Sequence, residues 1–390
     1  MISLEDAQAQ LLQLVTPLPI ETLPLIEAAG RWAAADIVSR RTQPARQLSA
    51  MDGYAFAFGG IGPRKVVGES AAGRPFQGTV QNGEAVRIFT GAALPSGTDT
   101  IVIQENVTRQ DDTIVFDSAA ATHLGQHVRP AGSDFRSGDL LIRTGERLTP
   151  ASIALAASGG HGTIAVRQKP RIALIATGDE LVPPGTDAGD DHLPESNTVM
   201  LASMFSDLPC DINVIGIIPD SLSMIVAAIQ SADADLLITM GGASVGDHDL
   251  VKPALEQCGA LLDFWKVAMR PGKPVMAGKL RKMLVIGLPG NPVSAFVTAL
   301  LFAKPAAAAL AGASAPFPGG IPMRLAAPIV ANGNRTDHLR AKMTKDGALP
   351  VGPNDSSAMG GLAAADCLIV RPPHAQPLAI GDDVTVLMLK

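Results

Sequence analysis

Apolar positions change their rhythm several times along the chain. Ala7, Leu11, Leu14 and Val15 follow Ser3 and Asp6 at helical spacing until Pro17, which predicts an opening amphipathic helix started by a capping box. Between about 44 and 129, short β-rich runs such as 85–89 and 100–103 alternate with Gly, Pro, Asn and Asp turns, the texture of a small all-β unit. Thr149-Pro150 opens a second helix over 151–158, closed by Gly159-Gly160.

After Lys169-Pro170 the pattern changes again. The continuous apolar run 171–176 predicts a strand buried on both faces, broken by Thr177-Gly178-Asp179-Glu180. A helix from about Asn197 follows, with Met200, Met204 and Leu208 on one stripe, and further strands are expected at 212–218, 235–239 and 283–286. Their breaks are Pro219-Asp220, a glycine-rich turn over 241–246, and Leu288-Pro289-Gly290-Asn291-Pro292. Strands alternating with helices predict a mainly parallel sheet with helices on both faces, so the fold class is multidomain α/β. Ligands of such sheets bind beyond the carboxyl ends of the strands, where all four polar breaks fall. After about Pro322 the chain turns β-like once more, with strands expected at 323–330, 339–343, 367–370 and 384–389.

Composition sharpens this picture. The chain has 390 residues, 47% hydrophobic and 17% charged, which excludes general disorder and makes two or more domains the expectation. Trp, Tyr and Phe number 2, 1 and 11, too few for a stacking surface for single-stranded nucleic acid. A formal charge of −6 opposes nonspecific attraction to nucleic acid or anionic lipid, so an anionic ligand needs a local basic island. Cys210, Cys258 and Cys367 are scattered and form no CxxC pair, and no signal peptide is visible, which together predict a cytoplasmic protein. The most apolar stretch, 293–310, is expected to be split by Lys304-Pro305 and so to fall short of a membrane span.

Several motifs carry chemistry. Gly242-x-Ser244-x-Gly246 formally matches a nucleophile elbow, which would need a downstream His such as His338 or His374. The stronger reading is a strand-to-helix turn whose N–H groups, with the Ser244 hydroxyl, receive an anionic group. Asn291-Pro292 is a good helix start in its own right, and Pro289 and Asn291 would form a second wall of the same cleft. Lys266, Arg270, Lys273 and Lys279 make the densest basic stretch, and its two X-Pro bonds suit a fixed oxyanion pocket better than a solvated loop. Asp52, Asp134, Glu180, Asp220 and Asp249 each lie close to a Gly or Pro turn; one alone is ordinarily solvated, but several at a phosphate cleft would hold Mg²⁺.

Six stretches then form one ordered pattern: Ser49-Ala50-Met51-Asp52-Gly53-Tyr54-Ala55, Phe89-Thr90-Gly91-Ala92, Thr177-Gly178-Asp179-Glu180-Leu181, Gly241-Gly242-Ala243-Ser244-Val245-Gly246-Asp247, Pro271-Gly272-Lys273-Pro274 and Leu288-Pro289-Gly290-Asn291-Pro292-Val293-Ser294. The chain resembles the MoeA family of molybdopterin molybdenumtransferases over essentially its whole length, and is similar to the C-terminal domain of gephyrin. The resemblance implies an elongated homodimer of four-domain subunits: a discontinuous helical domain over 1–43 and 130–168, an inserted β domain over 44–129, a molybdopterin-binding α/β domain over 169–318 and a C-terminal β domain over 319–390.

It further implies insertion of molybdate into adenylylated molybdopterin, with Mg²⁺-dependent release of AMP, on substrate delivered by a molybdopterin adenylyltransferase. A noncatalytic molybdopterin-binding or scaffold protein of the same fold is the alternative. Carried over by motif, the implied catalytic residues are Asp52, Thr90, Asp134, Glu180, Asp249, Lys266 and Arg270, with Glu180 and Asp249 toward the metal. Arg129, Asp220, Gly242, Ser244, Lys273, Pro289, Asn291, Arg340 and Ser356 are the implied substrate contacts. Arg270 stands where the family has a second lysine, which exchanges a compact ammonium for a planar fork. The soft ligands of molybdenum are the two sulfurs of the substrate, so the protein need supply no thiolates.

Overall fold

The computed structural model describes residues 1–59, 62–187, 189–241, 250–352 and 358–389. A six-stranded sheet in spatial order Asp211–Ile218, Arg171–Thr177, Leu236–Met240, Met283–Leu288, Pro274–Leu280 and Leu261–Lys266 forms its centre. The first four strands run parallel, and the last two are antiparallel additions. Alternate residues of each strand serve two cores. Ile172, Leu174, Leu236, Ile238, Leu284 and Ile286 face one side, while Ala173, Ile175, Leu237 and Val285 face the other. Burial on both faces explains why these strands read as unbroken apolar runs.

Helices Leu222–Ser231 and Val251–Gln257 cover the second face through Ile225, Ile229, Ala254 and Leu255. The first face is covered by Asn197–Met204 and by the long helix Pro292–Leu310. That helix runs through Lys304-Pro305, where the sequence predicts a split. A π-helical stretch, Ala299–Ala303, precedes the proline and shifts the hydrogen-bond register, which accommodates the missing N–H. The helix is long and apolar enough to cross a bilayer, but 89% of its most apolar window is buried inside the protein, as an all-round apolar core helix must be.

The first helix, Leu4–Leu14, begins as expected, with the Ser3 hydroxyl accepting from the Asp6 N–H at 3.0 Å. Its stripe of Leu4, Ala7 and Leu11 packs on the α/β core, away from the segment 130–168 with which the domain boundaries group it. What remains of the helical unit is small. It comprises the helix Pro150–Ser158 and two antiparallel pairings, Ile20–Pro24 with Thr163–Arg167 and Ile37–Val38 with Leu140–Ile142, around Ala28, Ile37, Ile142, Leu148 and Val166. Periodicity finds a helix but does not say which surface receives it.

A second six-stranded sheet lies within 53–116, in order Thr100–Ile103, Gly53–Phe56, Glu84–Ile88, Arg64–Ser70, Thr113–Phe116 and Val107–Gln110. The third sheet closes the chain with Thr336–Thr344, Cys367–Arg371, Asp383–Met388 and Ile321–Arg324. Its outer strand is Met269–Arg270, a piece of the basic stretch, which pairs in parallel with Thr336 and Asp337. The basic stretch is therefore no free loop. Lys266 pairs opposite Pro274 in the central sheet, and the residues between them detour into the C-terminal sheet.

Candidate active-site cleft

The carboxyl ends of the parallel strands open into a cleft of about 880 Å³. Its walls include Thr177, Glu180, Gly241, Pro289, Gly290 and Asn291 from the strand ends, and Arg270, Lys273 and Arg335 from the basic side. The strand order reverses between Arg171–Thr177 and Leu236–Met240, so the cleft sits where diverging connections leave room for a ligand. Gly241 has φ 92°, and a Cβ there would lie 2.9 Å from the Thr177 carbonyl oxygen. Only glycine lets these two strand ends approach so closely.

The remaining wall is the turn into the helix Asn197–Met204. Glu195 is buried, and its carboxylate accepts from the N–H groups of Asn197 at 2.8 Å and Thr198 at 3.0 Å, and from the Thr198 hydroxyl. Donors on this scale compensate a buried charge and cap the helix start. Asn197 Nδ2 donates to the Gly290 carbonyl at 2.8 Å, which ties this turn to the Asn291 loop and fixes the amide's orientation. Asn197 Oδ1 then points elsewhere, buried and without a donor among the described residues. Sequence reasoning missed Glu195, Asn197 and Arg335; for the first two, an acid placed just before a helix start was the available signal.

The structure thus gathers Glu180, Arg270, Lys273, Pro289 and Asn291 around one cleft. Glu180, Lys273 and Asn291 are exposed to it, and the Arg270 guanidinium is also paired with the buried Asp337. Lys266 stands beside this group on the central sheet, opposite Pro274, but does not line the cleft. Asp220 is on the neighbouring strand end, where its N–H donates to Asp179 Oδ1 at 3.0 Å. Gly242, Ser244, Asp249 and Ser356 lie outside the described residues. Arg340 sits in the C-terminal sheet and donates to the Ala358 carbonyl at 2.7 Å.

A second group is kept off the cleft within the subunit. Both the N–H and hydroxyl of Thr90 donate to Asp52 Oδ1 at 2.7 Å, and these bonds hold the Asp52 carboxyl below its ordinary range. Arg129 belongs to the strand Val128–Arg129, paired with Leu48–Ser49 at the neck of the inserted sheet. Asp134 is exposed on the same neck, its N–H bound to the Gln43 carbonyl at 3.1 Å. None of the four lines the cleft.

Two chemical alternatives can be weighed on this geometry. His338, a nominee for a hydrolase triad, is buried in the C-terminal sheet, and desolvation pushes its pKa down to about 4. It does not line the cleft, so the sheet-edge site gains no imidazole from it. Among the described residues no three His, Cys, Asp or Glu side chains converge on a metal position. Glu180 fits a different kind of site, since Mg²⁺ binds through one or two carboxylates together with water and substrate phosphate oxygens.

Fold and cleft together define a multidomain α/β protein with a small-molecule site at the carboxyl edge of a parallel sheet. Residues 2–160 match the MoeA N-terminal region (domain I and II), 173–309 a probable molybdopterin binding domain, and 322–389 the MoeA C-terminal region (domain IV). A molybdopterin molybdenumtransferase of Haemophilus influenzae is 39% identical over 80% of this chain and 78% of its own length. One of Synechococcus elongatus is 33% identical over 96% and 95%. A crystal structure of a molybdopterin biosynthesis MoeA protein from Pyrococcus horikoshii superposes with a TM-score of 0.85 at 25% identity, covering all of both chains. The chain belongs to the MoeA family.

Proposed function

We infer that this protein is a molybdopterin molybdenumtransferase that inserts molybdate into adenylylated molybdopterin and releases AMP. The observation that carries the reading is the cleft itself: Arg270, Lys273 and Arg335 line one sheet edge in a chain whose formal charge is −6. Such an island concentrates an oxyanion and a pyrophosphate where the rest of the surface repels them.

Each residue then has work suited to its chemistry. Lys273 offers a mobile point charge to phosphate or molybdate oxygens, while Arg270 offers whatever face of its fork Asp337 leaves free. Asn197 Oδ1 is an unsatisfied acceptor in the cleft wall, and the N–H groups of a pterin would relieve its cost. Glu180 and, outside the described residues, Asp249 are the carboxylates that would hold Mg²⁺ against the substrate's phosphates. The bound ion would supply charge neutralisation at the anhydride.

Asp52, Thr90, Arg129 and Asp134 enter the same reading through a homodimer, in which the neck of one subunit completes the cleft of its partner. Mixed dimers of Asp52→Ala and Glu180→Ala subunits should then recover one working site; no recovery would remove the shared-site element. We place the reaction in the cytoplasm, downstream of a molybdopterin adenylyltransferase.

The deciding assay incubates purified protein with adenylylated molybdopterin, Mg²⁺ and molybdate and measures AMP. Release of AMP that disappears in Glu180→Gln supports the transferase. Tight substrate binding without AMP release would favour a noncatalytic molybdopterin-binding protein.

A further inference from the structure

The opposite edge of the central sheet also carries a cleft. It measures about 900 Å³ and lies at the amino ends of the strands that start at Arg171, Asp211 and Leu236. Strands of five to seven residues put it about 20 Å from the active-site cleft, taking roughly 3.3 Å of rise per residue. Its volume is in the range that takes a small organic ligand.

Charge distinguishes this cleft from an ordinary groove. Arg31 is buried and paired with Glu21, and Arg171 is held by Asp233 and Asp235, so these two cations are neutralised. Lys169, Lys279, Arg281 and Lys282 also line it, and none forms an ion pair among the described residues. Asp211 is the one wall carboxylate not already engaged with an arginine. Pro17, Leu18 and Leu310 supply an apolar side.

The turn that presents two of these cations is itself costly. Arg281-Lys282 joins two strands paired as Leu280 with Met283, and Arg281 has φ 57°, a position that glycine fills without strain. A charged side chain is thus held in the cleft wall against local preference.

We propose that this amino-edge cleft is a second anion site, which takes an organic phosphate whose flat or apolar body lies against Pro17, Leu18 and Leu310. The phosphate is gripped by Lys169, Lys279, Arg281 and Lys282. The proposal is independent of the transferase reading, because no residue of the active-site cleft takes part.

Calorimetric titration with AMP tests it in Lys273→Ala protein, where the active-site cleft is weakened. AMP should bind, and adding Arg281→Gly and Lys282→Gln should weaken it about tenfold. Arg281→Gly relieves the turn, so misfolding is not built into the test, and the melting temperature should hold or rise. Inorganic phosphate should bind at least about tenfold more weakly than AMP, because it lacks the apolar body. The Arg281→Gly/Lys282→Gln change in otherwise wild-type protein should leave AMP release from the transferase reaction within about twofold. The proposal is overturned if AMP does not bind the Lys273→Ala protein, if the turn substitutions leave its affinity unchanged, or if inorganic phosphate binds as well.

Discussion

The guanidinium of Arg270 is paired with the carboxylate of Asp337, so a cation of the active-site cleft is anchored in the C-terminal sheet. Asp337 is almost entirely buried, while the Arg270 side chain is 47% exposed and reaches the cleft. Asp337 thus gives the planar fork of Arg270 a partner suited to it. A lysine ammonium paired with a carboxylate keeps its remaining donors clustered at one point, whereas a guanidinium keeps several donors on a second, fixed edge of its plane.

Asp337→Asn keeps the shape but removes the charge that orients Arg270. Stability should fall by about 1–3 kcal/mol in chemical denaturation, and the KM for substrate should rise more than kcat falls. An Arg270→Lys variant should show the same split, and equal losses in kcat and KM would contradict an orienting role.

The two Thr90 donors on Asp52 predict a titration. Their bonds favour the charged carboxylate, so the folded pKa lies below 3.8. The corresponding stability is present above that value and is lost as the pH falls through the folded pKa. Thr90→Val removes the hydroxyl and keeps the N–H, so the Asp52 carboxyl resonance should titrate at higher pH in an NMR series, closer to 3.8. An unmoved midpoint would mean the hydroxyl does not contribute.

His338 shifts in the same direction for a different reason. Burial favours the neutral ring, with a folded pKa of about 4 against an ordinary value of 6.5. Its stabilising effect is complete above pH 6.5 and is lost as acid takes the protein down toward pH 4. The loss should reach a few kcal/mol, since each tenfold change in proton affinity between the unfolded and folded chain is worth about 1.4 kcal/mol. Melting temperature against pH should therefore steepen across that window, and His338→Gln should flatten the slope; parallel profiles would rule out the ring as its source.

Gly178 offers a probe of Glu180. A Cβ at Gly178 would lie 2.5 Å from Glu180 Oε2, and the backbone there has φ 152°. The obstructing atom is the end of a flexible side chain, so Gly178→Ala should displace the carboxylate, while a φ that an L residue rarely adopts adds a folding cost of about 1–3 kcal/mol. AMP release should drop at least about tenfold, more than the melting temperature alone explains. Full activity would show that the position of Glu180 is not critical.

The parts of this protein that were legible in its sequence are those decided locally. Ile172 and Leu174 face one core, and Ala173 and Ile175 the other, so the apolar run itself announced a doubly covered strand. The strand-end breaks at Glu180, Pro289 and Asn291 followed from chain direction in a parallel sheet. Illegible were the pairings between remote segments. Nothing near Leu4, Ala7 or Leu11 indicates that their partner is the central sheet. Nothing near Arg270 indicates that residue 337 will receive it. The strands Leu261–Lys266 and Pro274–Leu280 escaped for a related reason, because the basic and proline-rich stretch between them reads as a loop until both of its sheets are known. Asn197 looked like an ordinary helix start, and only the bond to Gly290 turns its amide oxygen into a vacancy for a donor.

The detour of the chain from Lys266 through Met269–Arg270 to Pro274 stitches one β-sheet to another with hardly any slack. A swing of the C-terminal unit could not leave the arginine behind. The last domain is thus tied through the backbone to the basic wall of the cleft, and the spacing between the two is set by covalent geometry as much as by packing.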